Sequence, residues 1–220
     1  MKNELFHAMI LSVMFLLLFF IAELLYRKLH VRSEITRKLV HAGTGIITML
    51  FPIMLNSWVT VLILCFSFGV ILFITIKAKL LPSINAIDRP SAGSLLYPAS
   101  VFICFVFFKL NNNLLCFYLP VLTLAICDPV AALIGRKWPF GSFIIRYNHK
   151  TLSGTFAFFI AALIIASVLL YNMTSLPSEL IFRKAVLLGV LTAIAEAVSV
   201  RGYDNLTIPA TVLLVLKLQV

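Results

Sequence analysis

The chain has 220 residues, of which 62% are hydrophobic and only 12% are charged. A soluble globular domain needs more polar surface than this composition supplies, so the sequence predicts an integral membrane protein. The formal net charge of +10 would suit nucleic acid, but the basic residues lie in short loops between apolar segments. There they orient spans and meet anionic headgroups, so we expect no nucleic-acid partner.

Eight apolar segments approach the length needed to cross a hydrocarbon core about 30 Å thick. Several are short for a full crossing, so the pattern allows seven to nine spans. It predicts an all-α, polytopic helical bundle that forms a single transmembrane domain over residues 1–220. The segments are Leu5–Tyr26, Leu39–Leu55, Trp58–Ile76, Leu95–Phe108, Leu114–Ile134, Thr155–Tyr171, Ala185–Val200 and Leu206–Val220.

The distribution of basic residues predicts the orientation of the bundle. With the N-terminus outside, 13 of the 18 Lys and Arg residues fall in loops on one side, which the positive-inside rule makes cytoplasmic. The first segment lacks a small-residue cleavage site and precedes a basic cluster, so we expect a retained span rather than a signal peptide. The four cysteines lie in or beside apolar segments and are expected to act as small hydrophobic residues.

The first polar cluster opens the second apolar segment. Arg37, Lys38 and His41 are three and four residues apart, so they share one face of a helix. Arg37 and Lys38 alone could simply be basic residues that hold the end of a span at the cytoplasmic surface. That role does not need a histidine one helical turn deeper. Further along, Arg89 lies in a polar loop, where it either clamps a phosphate or interacts with Asp88 in a turn.

Asp128 lies within the apolar run from Leu114 to Ile134. A carboxylate in hydrocarbon costs about 2.5–3.5 kcal/mol on insertion scales, so it rarely persists without a water-filled pocket, a partner or a metal. On a helix it shares a face with Ala131, Ala132 and Gly135, where the lack of bulk lets a ligand approach. The alternative is a helix-packing notch that contains a satisfied carboxylate.

Glu196 is the second deep carboxylate, on a stripe of small and polar residues at helical spacing. Asp204 and Asn205 follow it, and either belong to the same site or cap the last helix. With Arg136 and Lys150, these groups all lie at predicted cytoplasmic ends of spans. A 15-residue helix is roughly 22 Å long, less than the hydrocarbon core, so such ends can share a recess below the headgroups.

Three carboxylates among Arg and Lys side chains suit Mg²⁺ and a polyphosphate, because Mg²⁺ prefers oxygen ligands and the cations neutralise phosphate charge. Phosphoryl transfer needs mainly this positioning, with a carboxylate or histidine to take the hydroxyl proton. The same residues would also suit an ion-coupled anion transporter. Walker A, H-E-x-x-H and G-x-S-x-G patterns are absent, which argues against soluble kinases and zinc hydrolases.

Taken in order, the motifs resemble those of the polyprenol kinase family, which includes dolichol kinase, phytol and farnesol kinases and the CTP-dependent diacylglycerol kinase. The resemblance covers the chain from about Arg37 onward. It departs from the family at Ser153, where many members have Glu, and in a longer loop between Gly135 and Gly141. The motifs are Asp128-x-x-Ala131-x-x-x-Gly135-Arg136, Lys150-Thr151-x-x-Gly154-Thr155, Glu196-x-x-Ser199-x-x-Gly202-x-Asp204-Asn205-Leu206-Thr207-x-Pro209, Arg37-Lys38-x-x-His41 and Arg89…Gly93…Tyr97-Pro98.

The resemblance implies a membrane enzyme that phosphorylates a lipid alcohol, either an isoprenoid alcohol or diacylglycerol, with CTP as the donor. Asp128 is then the first choice as catalytic base and His41 the second, and Lys150, Arg136 and Arg37 hold phosphates. Mg²⁺ is expected on Asp128, Glu196 and Asp204. The residues expected to bind the nucleotide are Arg37, Lys38, Arg89, Gly135, Arg136, Lys150, Thr151, Gly154 and Asn205.

Two alternatives remain open on the sequence. A CTP:phosphatidate cytidylyltransferase would share the nucleotide and the membrane, but its Lys-Asp…His-Gly-Gly…Asp-Arg pattern is absent. A non-enzymatic transporter or flippase for a phosphorylated lipid would need neither a metal nor CTP hydrolysis.

Overall fold

The computed structural model describes residues 2–85, 92–146 and 148–218 of the chain. Arg89, a predicted phosphate ligand, lies outside the described residues, as does its neighbour Asp88. Within the described ranges most residues are helical. The helices are α1 (Lys2–Lys28), α2 (Ser33–Thr48), α3 (Phe51–Met54), α4 (Trp58–Lys77), α5 (Pro82–Asn85), α6 (Gly93–Asn111), α7 (Leu115–Leu122), α8 (Asp128–Lys137), α9 (Leu152–Met173), α10 (Ser178–Val198) and α11 (Asp204–Lys217).

Five helical stretches among the described residues are long and apolar enough to cross a membrane. They correspond to the first, third, fourth, fifth and sixth predicted apolar segments, and they support a helical, multi-pass membrane fold. The stretches are Asn3–Lys28, Trp58–Lys77, Gly93–Asn111, Leu115–Lys137 and Leu152–Met173.

The other three predicted segments are also helical, but they differ from a simple span. The second is split between α2 and α3, and α2 carries Glu34, Arg37 and Lys38 in its first half. The seventh lies in α10, which has charged residues near both ends. The eighth is α11, whose 14 residues span roughly 21 Å. The count of eight spans and the external N-terminus therefore stay predictions.

The core is built from helices that pack side by side. Helix α9 packs against α8 and α10, α4 against α6, and α1 against α2. Phe51, Phe105, Phe117 and Phe158 are among the largest fully buried side chains. The outer faces of α1 and α4 expose many large apolar side chains, as a surface that meets lipid should. All four cysteines are buried and free, as expected of small hydrophobic residues.

A β-hairpin that was not predicted from the sequence joins α8 to α9. Strand β1 (Ser142–Ile145) pairs antiparallel with β2 (Asn148–Thr151), and Ser142 lies opposite Thr151. The aromatic and β-branched residues of β1 favour a strand. Because β2 leads directly into α9, the hairpin determines where Lys150 and Thr151 lie at the start of that helix.

Candidate active site

One cavity of about 570 Å³ lies among α2, α6, α8, β2, α9, α10 and α11, and it extends toward α1 and α4. Its size falls within the range of roughly 300–1,000 Å³ that is usual for small-molecule sites. Every candidate residue that the structure describes lines this cavity. These residues are Arg37, Lys38, His41, Asp128, Gly135, Arg136, Lys150, Thr151, Gly154, Glu196, Asp204 and Asn205.

Asp128 is buried and follows a π-helical turn over Thr123–Cys127. Such turns occur frequently at functional sites. Pro129 lacks an N–H, so the preceding turn loses a backbone donor. His41 Nε2 lies 3.1 Å from the Leu124 carbonyl oxygen, which can only accept, so this nitrogen carries a proton. The irregular turn thus fixes the histidine ring beside Asp128, with Nδ1 as the basic nitrogen of the neutral ring.

Lys38 forms an ion pair with Asp128 across the α2–α8 contact. Its Nζ lies 2.5 Å from Asp128 Oδ2, and both side chains are largely buried. His41 Nε2 lies 3.6 Å from the same oxygen. A buried ion pair compensates much of the cost of placing a carboxylate in an apolar segment. The Asp128 carboxylate therefore has an ion-pair partner and also lines the cavity. It has features of both alternatives that the sequence allowed, the ligand site and the packing notch with a satisfied carboxylate.

Lys150 and Glu196 form a second ion pair, between β2 and α10. The Glu196 side chain is 6% exposed and the Lys150 side chain 18%. Lys150 Nζ also donates to the backbone carbonyl of Glu196, at 3.2 Å. Two acceptors on one residue hold the ammonium group in a defined position against the cavity.

The small residues of α8 allow close packing of α8 against α9. A Cβ built on Gly135 would lie 2.5 Å from Thr151 Oγ1, and one on Gly154 would lie 2.9 Å from the Ala131 carbonyl oxygen. Thr151 caps α9, because its Oγ1 accepts from Gly154 N at 3.0 Å. This packing brings the N-terminus of a 22-residue helix to the cavity. The positive end of its dipole favours an anion there.

The last motif folds as a corner between α10 and α11. Ser199 and Thr207 hydroxyls are 2.6 Å apart across it. Asp204 Oδ1 accepts from Asn205 N at 3.0 Å, in the first turn of α11, and Ser100 Oγ donates to the Asn205 carbonyl oxygen at 2.5 Å. Asp204 and Asn205 therefore stabilise a helix start and line the cavity as well.

The predicted metal ligands Asp128, Glu196 and Asp204 line the same cavity. Among residues 2–85, 92–146 and 148–218, however, no three His, Cys, Asp or Glu side chains are arranged to hold a metal ion. Two of the three carboxylates are paired with lysines. This donor set does not fit a closed protein cage. It fits Mg²⁺ bound by one or two carboxylates together with phosphate oxygens, which is how Mg²⁺ is usually held.

Glu34 and Tyr97 are among the cavity residues that were not singled out from the sequence as site residues. Glu34 forms an ion pair with Arg136, whose side chain is half exposed, at the solvent side of the cavity. Tyr97 is buried, and its ring packs edge-on against His41 with centroids 5.0 Å apart. Glu34 could have been predicted from the sequence, because its helical spacing places it on the same face of α2 as Lys38 and His41. Tyr97 appeared in the sequence only within the Arg89…Gly93…Tyr97-Pro98 motif, which did not indicate its contact with His41.

Neither a protein-family model nor a solved structure matches the chain. A curated relative does: the chain is 28% identical over 190 residues to a phytol kinase from Synechocystis sp.. The alignment covers 86% of this chain and 80% of that protein. This similarity confirms the relationship that the ordered motifs predicted. The chain is therefore a relative of the polyprenol and phytol kinases.

Proposed function

We propose that this protein is a membrane-embedded kinase that transfers the γ-phosphoryl group of CTP to the hydroxyl of a lipid alcohol at the cytoplasmic face. The observation that carries this proposal is a single cavity lined both by two carboxylate–lysine pairs and by apolar helix faces. Such a cavity can hold a charged donor and an apolar acceptor together. The similarity to a phytol kinase supports a lipid alcohol as the acceptor.

The phosphates of the donor bind, in this proposal, between the start of α9 and the solvent side of the cavity. Lys150 is held there by Glu196, and the N-terminus of α9 adds backbone donors and a favourable dipole. Arg136 and Arg37 line the same cavity and supply further positive charge. Phosphoryl transfer depends mostly on such positioning and charge neutralisation.

The acceptor hydroxyl binds at Asp128. Its oxygen forms a bond to the γ-phosphorus while the bond from that phosphorus to the bridging oxygen breaks, so CDP leaves. The hydroxyl proton passes to Asp128, and His41 is the second candidate to receive it through Nδ1. Lys38 orients the carboxylate through its contact with Asp128 Oδ2. A weak base suffices because the transition state of phosphoryl transfer is loose.

Mg²⁺ would be held by one or two of Asp128, Glu196 and Asp204 together with phosphate oxygens, and it would neutralise charge on the transferred group. The lysine partners would then move toward the phosphates. The donor set is compatible with this arrangement because all three carboxylates line the cavity.

The proposal is tested with purified protein in lipid nanodiscs, a panel of lipid alcohols plus phosphatidate, and CTP labelled at either the α or the γ phosphate. Label transferred from the γ position to an alcohol, with ATP, GTP and UTP as comparison donors, supports the kinase. Entry of α label into phosphatidate would instead identify a cytidylyltransferase. Absence of transfer with every donor would contradict the kinase and favour transport.

A further inference from the structure

The cavity has two halves with different chemistry. One half holds the charged residues described above, and the other is an almost entirely apolar extension between α1, α3, α4 and α6. We call this extension the apolar arm. Its walls are formed by Phe15, Phe19, Phe51, Phe68, Leu72 and Val101.

The apolar arm runs away from the charged half along α2. From His41 to Thr48, the last residue of α2, the chain advances seven residues, which corresponds to roughly 10 Å at helical rise. Thr44 and Thr48 line the cavity along this path. The lining residues therefore continue from the charged half into the apolar part of the bundle.

Three aromatic rings close the far end of the arm. Phe51 is 2% exposed, and its ring packs edge-on against Phe15 at 6.1 Å. Phe15 in turn packs against Phe68 at 4.9 Å. Close-packed interlocking rings resist displacement because a core tolerates little change in volume. Such a packed group of rings is expected to limit how far a bound chain enters.

Tyr97 marks the boundary between the two halves. Its ring contacts His41, while its hydroxyl is buried and has no hydrogen-bond partner among the described residues. The hydroxyl lies against α2 beside Gly45, so it is the ring of Tyr97 that separates the charged residues from the apolar arm. An acceptor whose hydroxyl lies near Asp128 and whose chain enters the arm would place the first carbons of that chain beside Tyr97.

We infer that the apolar arm binds the hydrocarbon chain of the lipid alcohol, and that Phe51 determines the longest chain that fits inside the protein. This inference rests on the proposed kinase function and adds the acceptor's orientation and its length limit. The occupant is a single apolar chain bearing one terminal hydroxyl. An acyl chain of a bilayer phospholipid is the competing occupant.

The first test measures kcat/KM for a series of prenyl alcohols of increasing length, from geraniol through farnesol and geranylgeraniol to a long polyprenol. Phe51→Leu should extend the preferred length and Phe51→Trp should shorten it, each changing the long-to-short ratio about tenfold. Phe105→Leu is the matched control, since Phe105 is a fully buried ring of the same core that does not line the cavity. A length profile identical in all four proteins would overturn the inference.

The second test does not depend on phosphoryl transfer. A lipid alcohol that carries a photoreactive group at its chain end is cross-linked, and the labelled peptides are mapped. Labelling near Phe15, Phe51 and Phe68, competed by unlabelled alcohol and not by phosphatidylcholine, is expected. Labelling confined to the outer faces of α1 and α4, or competition by phosphatidylcholine, would overturn the inference. If wild type binds the probe in the arm yet transfers phosphate from no donor, the kinase proposal fails and the chain site stands.

Discussion

Lys38 Nζ lies 2.5 Å from Asp128 Oδ2, although the two residues are 90 positions apart in the chain. The contact joins the first turns of α2 to the start of α8, and both side chains are largely buried. The ammonium group satisfies the carboxylate, which in the proposed mechanism also accepts the hydroxyl proton. The two roles can be separated by mutation.

Lys38→Met should destabilise the protein by about 3–5 kcal/mol, because it leaves a buried carboxylate without its partner. Lys38→Met combined with Asp128→Asn should recover most of the stability but none of the phosphoryl transfer. Denaturant unfolding in detergent and γ-label transfer are the two measurements.

Arg183→Met is the control for this pair, since it breaks the exposed Arg183–Glu179 pair and should cost less than about 1 kcal/mol. A Lys38→Met effect no larger than that of Arg183→Met would show that the buried pair contributes little.

Lys150→Met should lower kcat by about 10²–10³-fold, as expected when a group that stabilises transition-state charge is lost. Lys150→Arg should retain part of the activity because it keeps the charge. Steady-state kinetics with varied CTP separates the effect on kcat from that on KM. Lys109→Met is the control, since Lys109 packs over Phe105 and Phe108 away from the cavity. Equal loss in both methionine variants would argue against a role for Lys150 in the reaction.

His41→Gln and Asp128→Asn together identify the proton acceptor. Glutamine can still donate to the Leu124 carbonyl oxygen but cannot take a proton, whereas asparagine removes the carboxylate at nearly constant shape. If Asp128 is the base, its variant should lose about 10²–10⁴-fold in kcat and the His41 variant less than about tenfold. The reverse order, measured by γ-label transfer at saturating substrates, would assign the proton to His41.

Gly135→Ala should destabilise the protein by about 1–3 kcal/mol, because the added methyl group would overlap Thr151 Oγ1. Displacement of Thr151 should also raise KM for the nucleotide. Gly69→Ala is the matched control, as nothing lies within 4 Å of its built Cβ, and it should be neutral or stabilise by up to about 1 kcal/mol. Thermal unfolding in detergent distinguishes the two, and equal stability would contradict the close α8–α9 packing.

The charged half of the cavity could be predicted from the sequence because ionisable groups in apolar segments are costly. Asp128 and Glu196 stand out on that ground alone, and the positive-inside pattern placed both on one side with Lys38 and Lys150. Their pairing with those lysines could not be predicted, since it depends on which helix faces meet.

The apolar arm and the hairpin were not predicted, and the reason is physical. In sequence, Phe15 and Phe51 resemble the many phenylalanines that pack in the core. Only the tertiary structure distinguishes a phenylalanine that lines a cavity from one that is packed on all sides. The π-helical turn before Asp128 is equally hidden, because Pro129 alone is compatible with an ordinary first helical turn. The span count depends on α2, α10 and α11, whose polar residues lower the hydropathy on which such counts rest.

The most direct measurement is transfer of γ-labelled phosphate from CTP to a lipid alcohol by purified wild-type protein and by Asp128→Asn, with unfolding curves to show that both are folded. The account predicts labelled lipid phosphate with wild type and a loss of at least about 100-fold with the variant. A folded Asp128→Asn protein that phosphorylates the alcohol at the wild-type rate would contradict it.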